Sequence, residues 1–117
     1  MKILLIIIAL ATGATFFLPK RQDISGTWVM ENKGQNFEAA IIRIQFGEGY
    51  YAAKLDMPGQ LIYDKSVILD MKNDSIRFLL DEKENCFIQA VIKDSLMTGR
   101  SVVEGKVEEV SFRRLKN

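Results

Sequence analysis

The sequence predicts an all-β domain, an eight-stranded antiparallel up-and-down barrel, with a two-sheet β-sandwich as the alternative. Three observations predict it. From residue 24 onward, short apolar runs alternate with period two, and no stretch sustains a helical period. Turn-forming residues separate the runs at close spacing. The links are too short for crossover connections, so consecutive strands should pair as hairpins. A meander of eight such strands can close on itself and remove its exposed edges. Side-chain parity alone does not separate that closure from two packed sheets.

The first strand is expected at 24–30, followed by the polar turn Glu31-Asn32-Lys33-Gly34-Gln35-Asn36. The second covers 37–46 and ends at Gly47-Glu48-Gly49. The third, 50–56, stops before Pro58-Gly59, a turn pair. The fourth, 66–71, is closed by Lys72-Asn73-Asp74, and the fifth follows at 75–80. Asp81-Glu82-Lys83-Glu84-Asn85 makes a charged tip before the sixth strand at 86–92. The seventh, 96–103, and the eighth, 107–115, are joined through Glu104-Gly105, where glycine suits a tight hairpin.

Alternation assigns the inner faces. They should carry Ile42, Ile44 and Phe46, then Val67, Leu69 and Met71, then Ile76, Phe78 and Leu80. The sixth strand adds Cys86, Ile88, Ala90 and Ile92, and the eighth adds Val110 and Phe112 with Arg114 next in line. Arg43, Asp70, Arg77, Gln89 and Ser111 should face out, the pattern of antiparallel sheets with one buried face.

Ahead of this domain, residues 1–22 are expected to be a signal peptide or an N-terminal anchor, leaving 23–117 as the barrel domain. Lys2 is a minimal basic start, Ile3 to Ala11 an apolar core, and Ala11-Thr12-Gly13-Ala14 a small-residue cleavage region. Against cleavage stands anchoring. The apolar stretch from Ile3 to Leu18 is short for a span, and Pro19, Lys20 and Arg21 end it. Either way the chain is expected to be exported, periplasmic or extracellular, with membrane contact only through an uncleaved leader.

Composition narrows the chemistry. The 117-residue chain has 16 Lys+Arg against 15 Asp+Glu, interleaved without a basic stripe, so nucleic acid is not an expected partner. Cys86 is the single cysteine, so no internal disulfide can form and stability must come from packing. It reads as a small apolar side chain in a strand. With no histidine, neither Ser-His-Asp nor Cys-His catalysis is available within the chain, nor His-ligated zinc. The acidic residues Asp70, Asp74, Asp81, Glu82 and Glu84 lack the Asp-x-Asp-x-Asp-Gly spacing of a calcium loop. Glu108 and Glu109 are adjacent on a strand, so they point to opposite faces and cannot act as a close acid/base pair. The chain is therefore expected not to be an enzyme and to use no cofactor.

Ile24-Ser25-Gly26-Thr27-Trp28 opens the domain, and Phe112-Arg113-Arg114-Leu115 closes it. This pairing resembles the lipocalin-like (calycin) barrels, whose first-strand Gly-x-Trp packs under an arginine of the last strand. The resemblance implies that Trp28 lies under Arg114, or under Arg113 if the register slips, a cation–ring contact that shuts one barrel end. Gly49-Tyr50-Tyr51 and Ala53-Lys54-Leu55-Asp56-Met57-Pro58-Gly59-Gln60 are similar to a Leu-Asp-Ser-Pro-x-Gln segment. That segment belongs to a small β module of exported bacterial proteins, often found before an α/β-hydrolase or serine-peptidase domain. Here Met57 stands in place of the serine, and Gly99-Arg100-Ser101 lacks the second tryptophan of the pattern.

The candidate ligand-binding residues are Trp28, Tyr51, Asp56, Gln60 and Arg114. Each also has a purely structural role available: Trp28 as a core plug, Asp56 as a turn carboxylate bonded to local backbone. The expected function is an exported, non-enzymatic binding or interaction module, holding a small apolar ligand or a protein partner. The alternative is an accessory domain acting with a separately encoded hydrolase.

Overall fold

The computed structural model describes residues 23–72, 74–81 and 85–116. The expected leader, 1–22, and the middle of the charged tip at 82–84 lie outside these residues. Eight strands follow one another: β1 (Gly26–Met30), β2 (Ile41–Gly47), β3 (Tyr50–Met57), β4 (Ile62–Lys72), β5 (Ser75–Leu79), β6 (Cys86–Lys93), β7 (Leu96–Val103) and β8 (Lys106–Arg114). Each pairs with its sequence neighbour, and β8 returns to β1, closing an antiparallel up-and-down barrel. The barrel, and not the sandwich, is the fold.

The turns explain the closure. Glu48 and Gly49 both have positive φ, as do Glu104 and Gly105, the backbone of a two-residue hairpin whose twist matches the strands it joins. Register pairs then run without interruption from Phe46↔Tyr51 to Ile41↔Asp56 and from Val103↔Lys106 to Leu96↔Arg113. The β3–β4 pairing is the irregular one. Leu55 to Met57 on β3 lies opposite Lys65 to Ile62 on β4, so β4 carries one extra residue there. Asp64 adopts φ 57° within it, the kink expected of a bulge.

The interior is filled. Trp28, Ile42, Ile44, Leu55, Phe78, Ile88, Met97 and Phe112 are fully buried, with Ala53, Ala90 and Val110 completing the lining. This matches the expected parity on all but the strand ends. Phe46 and Met71 keep the inward parity yet are 59% and 37% exposed. Both correct the expected inner face, because β2 and β4 run on past the packed part of the barrel and carry these residues beyond its core.

Two boundaries differ from expectation by more than two residues. Residues 37–40 are not part of β2. They belong to a strap, 31–40, that folds over one barrel end, burying Phe37 and Ala40 as though they were core residues of a strand. β4 starts at Ile62, four residues earlier than 66, after a 3-10 turn at Pro58–Gln60. The bulge at Asp64 breaks the alternation that marks a strand in sequence.

The candidate site at the two barrel ends

The strap and the β3–β4, β5–β6 and β7–β8 connections lie at one end, the strap end. The chain entry at Asp23, the β2–β3, β4–β5 and β6–β7 turns and the end of β8 lie at the other, the arginine end.

At the arginine end, Trp28 pairs with Arg114 across β1 and β8, and the guanidinium carbon sits 4.6 Å from the indole centroid. Gly26 makes room for this. Its φ is +133°, and an added Cβ would stand 3.3 Å from Arg114 Cγ and Cδ. The guanidinium then donates to three backbone carbonyls: Asp23 at 3.0 Å, Ser25 at 3.2 Å and Asp94 at 2.9 Å. The first two fix the entry segment, whose Ile24 is buried and whose carbonyl accepts a 3.0 Å bond from Trp28 Nε1. Tyr51 joins from β3, its hydroxyl 3.2 Å from Asp23 Oδ1. The bond from the Ser25 amide holds the Asp23 carboxyl below the usual carboxylate range, with Tyr51 and Arg114 adding to it. Three expected residues, Trp28, Tyr51 and Arg114, are thus brought together, with Asp23 as a fourth. Arg113 points outward to Glu31 at 2.7 Å.

Asp56 and Gln60 lie elsewhere. Asp56 Oδ1 accepts from the Asp64 amide at 2.6 Å and from Arg43 at 2.9 Å. Arg43 also donates to Asp64 Oδ1, while Lys54 reaches the other oxygen at 3.4 Å. The Arg43 bond, then the Lys54 charge, hold the Asp64 carboxyl below its ordinary range. This network clamps the bulge from outside the barrel, so Asp56 supports the backbone there. Gln60 is exposed at the strap end, where it edges a hollow of about 100 Å³ between the 3-10 turn and strap residues Gln35, Asn36 and Phe37.

The strap has its own fastening, which the sequence reading does not single out. Glu108 sits at the start of β8 and accepts from the Asn36 amide at 2.6 Å and the Gln35 amide at 2.9 Å. These two bonds hold its carboxyl below the usual glutamate range. Asn36 is buried and donates to Ser101 Oγ at 3.1 Å and Lys106 O at 2.9 Å. The signal for this was faint: Glu108 has the inward parity of Val110, and an inward acid at a rim needs donors. Cys86 is half-buried nearby. Burial pushes its thiol up and the Asp81 carboxylate adds to that, leaving it a poor nucleophile at neutral pH.

On the outer wall, the registers align Ile68 with Leu79, Leu79 with Phe87, Phe87 with Val102, and Val102 with Val107. This is one apolar row across five strands, facing outward because its neighbours Phe78, Ile88 and Ser101 are buried. Ile68 and Val107 at its ends are 58% and 57% exposed. The next row is charged or polar throughout: Asp70, Arg77, Gln89, Arg100 and Glu109. No protein-family model, curated protein or solved structure matches this chain.

Proposed function

We propose that this chain is an exported, non-enzymatic interaction module on a lipocalin-like barrel, working in the periplasm or outside the cell, and that it binds a protein partner through its outer wall. The observation that carries this reading is the outward row Ile68–Leu79–Phe87–Val102–Val107. An apolar band flanked by a charged row has the layout of an interface, an apolar centre with a polar rim. A shallow concavity lined by Val91, Thr98, Arg100 and Val107 borders it.

The barrel axis supports the same choice. Trp28, Phe78, Phe112 and their neighbours occupy it, and Arg114 and the strap cover its ends. A small apolar ligand of the kind lipocalins hold would have to displace these side chains. The Gly26-Thr27-Trp28 and Arg114 arrangement supports the calycin-type assignment on physical grounds, since each part has a packing reason for its partner.

The test is site-specific photo-crosslinking of the chain exported by its own host. A crosslinker in place of Ile68 should yield one defined protein adduct, and Val107→Asp should abolish it; a crosslinker at Lys54 serves as control. The same adducts from both positions, or none from Ile68, would remove the outer-wall reading. Native mass measurement of the uncrosslinked protein covers the other occupant: a stoichiometric small adduct would return the function to the interior.

A further inference from the structure

The chain enters the barrel at a fixed place. Ile24 is buried, Asp23 O and Ser25 O are held by Arg114, and Asp23 Oδ1 is held by Tyr51, so residue 23 is tied to the arginine end. In the sequence, Pro19-Lys20-Arg21-Gln22 are all that separate this point from the apolar stretch Ile3 to Leu18. Four residues span at most about 14 Å even when fully extended. If the apolar stretch stays on the chain and enters a bilayer, the arginine end must lie at the headgroup region. The strap end must then lie farther out by about the height of an eight-residue strand tilted to the barrel axis, on the order of 20 Å.

Among its turns the arginine end presents exposed apolar side chains. Phe46 and Tyr50 flank the β2–β3 turn at 59% and 60% exposure, Met71 lies by the β4–β5 turn, and the exposed Leu115 follows β8. Phe46 is braced edge-on by Tyr51, with ring centroids 4.9 Å apart. Tyr50, a ring with a polar tip, suits the membrane–water interface, and Phe46 and Met71 add exposed apolar surface beside it. Among the described residues the charges at this end balance: Lys72, Lys93, Arg114 and Lys116 against Asp23, Glu48, Asp74 and Asp94, four of each. Nothing in that count selects for anionic lipid.

We propose that the arginine end is a membrane-apposed face, with Phe46, Tyr50 and Met71 seated in the headgroup region of a phospholipid bilayer and residues 1–22 retained as the anchor. This rests on the anchor reading of the leader and goes beyond the outer-wall reading, which it leaves untouched. It also orients the molecule, because the outer apolar row lies toward the strap end and faces the aqueous side.

The test uses the full chain in phosphatidylcholine vesicles, with Cys86→Ser as background and a nitroxide at Tyr50→Cys, Met71→Cys or Glu104→Cys. The labels at 50 and 71 should collide several-fold more with oxygen than with a water-soluble nickel chelate, and the label at 104 should show the reverse. Adding anionic lipid or molar salt should change neither. Labels at 50 and 71 as water-exposed as the label at 104 would overturn the proposal. So would an intact mass, measured on protein from its host's envelope, that lacks residues 1–22. Either result leaves the Ile68 crosslinking outcome free to stand or fall by itself.

Discussion

The Arg114 guanidinium covers the Trp28 ring at 4.6 Å and ties the chain entry to the β6–β7 turn through three carbonyls. One side chain therefore holds β1, β8, the entry segment and a hairpin together. Arg114→Lys keeps a charge over the ring but loses the planar fork that reaches all three acceptors. Removing it as Arg114→Ala should cost about 2–3 kcal/mol, from the ring contact and the charge-assisted bonds together. Arg114→Lys should recover less than half of that. Urea denaturation followed by Trp28 fluorescence checks both; equal stability of Lys and Arg would mean the fork is idle.

Gly99 has no space for a side chain. A Cβ there would stand 2.0 Å from Gln89 O and 2.6 Å from Ala90 Cα, both on the neighbouring β6. The obstruction is backbone, which cannot swing aside as a flexible side chain can. Gly99→Ala should destabilise by about 2–3 kcal/mol, at the upper end for overpacking. Gly47→Ala, with nothing within 4 Å of its Cβ, is the matched control and should lose only a fraction of that. Similar melting curves for the two variants would contradict the close approach.

Much of the barrel was legible because its strands alternate without interruption. Ile76, Phe78, Ile88, Ala90, Val110 and Phe112 are inward as parity predicts, and Trp28 meets Arg114 as the resemblance implies. What was not legible depends on neighbours distant in sequence. Phe37 and Ala40 read as strand residues because they are apolar, yet they are buried by a strap pinned through Glu108, more than seventy positions away. Residues 62–65 read as a loop because the bulge at Asp64 interrupts the alternation, and its left-handed backbone is held by the clamp from Arg43 and Asp56. Phe46 and Met71 show the limit of parity: it gives the face of a side chain, and the length of the barrel decides whether that face is covered.

Asp56 should behave as a support of the bulge. Asp56→Asn retains an acceptor for the Asp64 amide but weakens the pairing with Arg43, a partly exposed ion pair. The expected loss is about 1 kcal/mol or less. Coupling should appear in a double-mutant cycle with Arg43→Met, whose combined loss falls short of the two single losses added together. Strict additivity would mean that the two side chains act apart. Partner crosslinking at Ile68 should survive Asp56→Asn, since Asp56 is not in the outer row.

Acid should release the strap. The Asn36 and Gln35 amides stabilise Glu108 as a carboxylate, so its folded-state titration lies below that of the unfolded chain. A group shifted in this direction contributes fully above the ordinary glutamate range, and the contribution is lost as pH falls through the folded value. Asp23, Glu31 and Asp64 are shifted the same way by their own hydrogen bonds, so the whole domain should weaken in acid. The strap is separable from that general trend by amide exchange. Between pH 7 and pH 3, after correction for intrinsic rates, protection at Gln35 and Asn36 should fall earlier than protection at Ile88 or Met97 in the core. Glu108→Gln removes the charge, so these two amides should be less protected at pH 7 and lose this titration step, while the core keeps the acid response of the other carboxylates. Full protection of Gln35 and Asn36 at pH 3 in the unaltered chain would show that the strap is held by the burial of Phe37 and the Asn36 side chain alone.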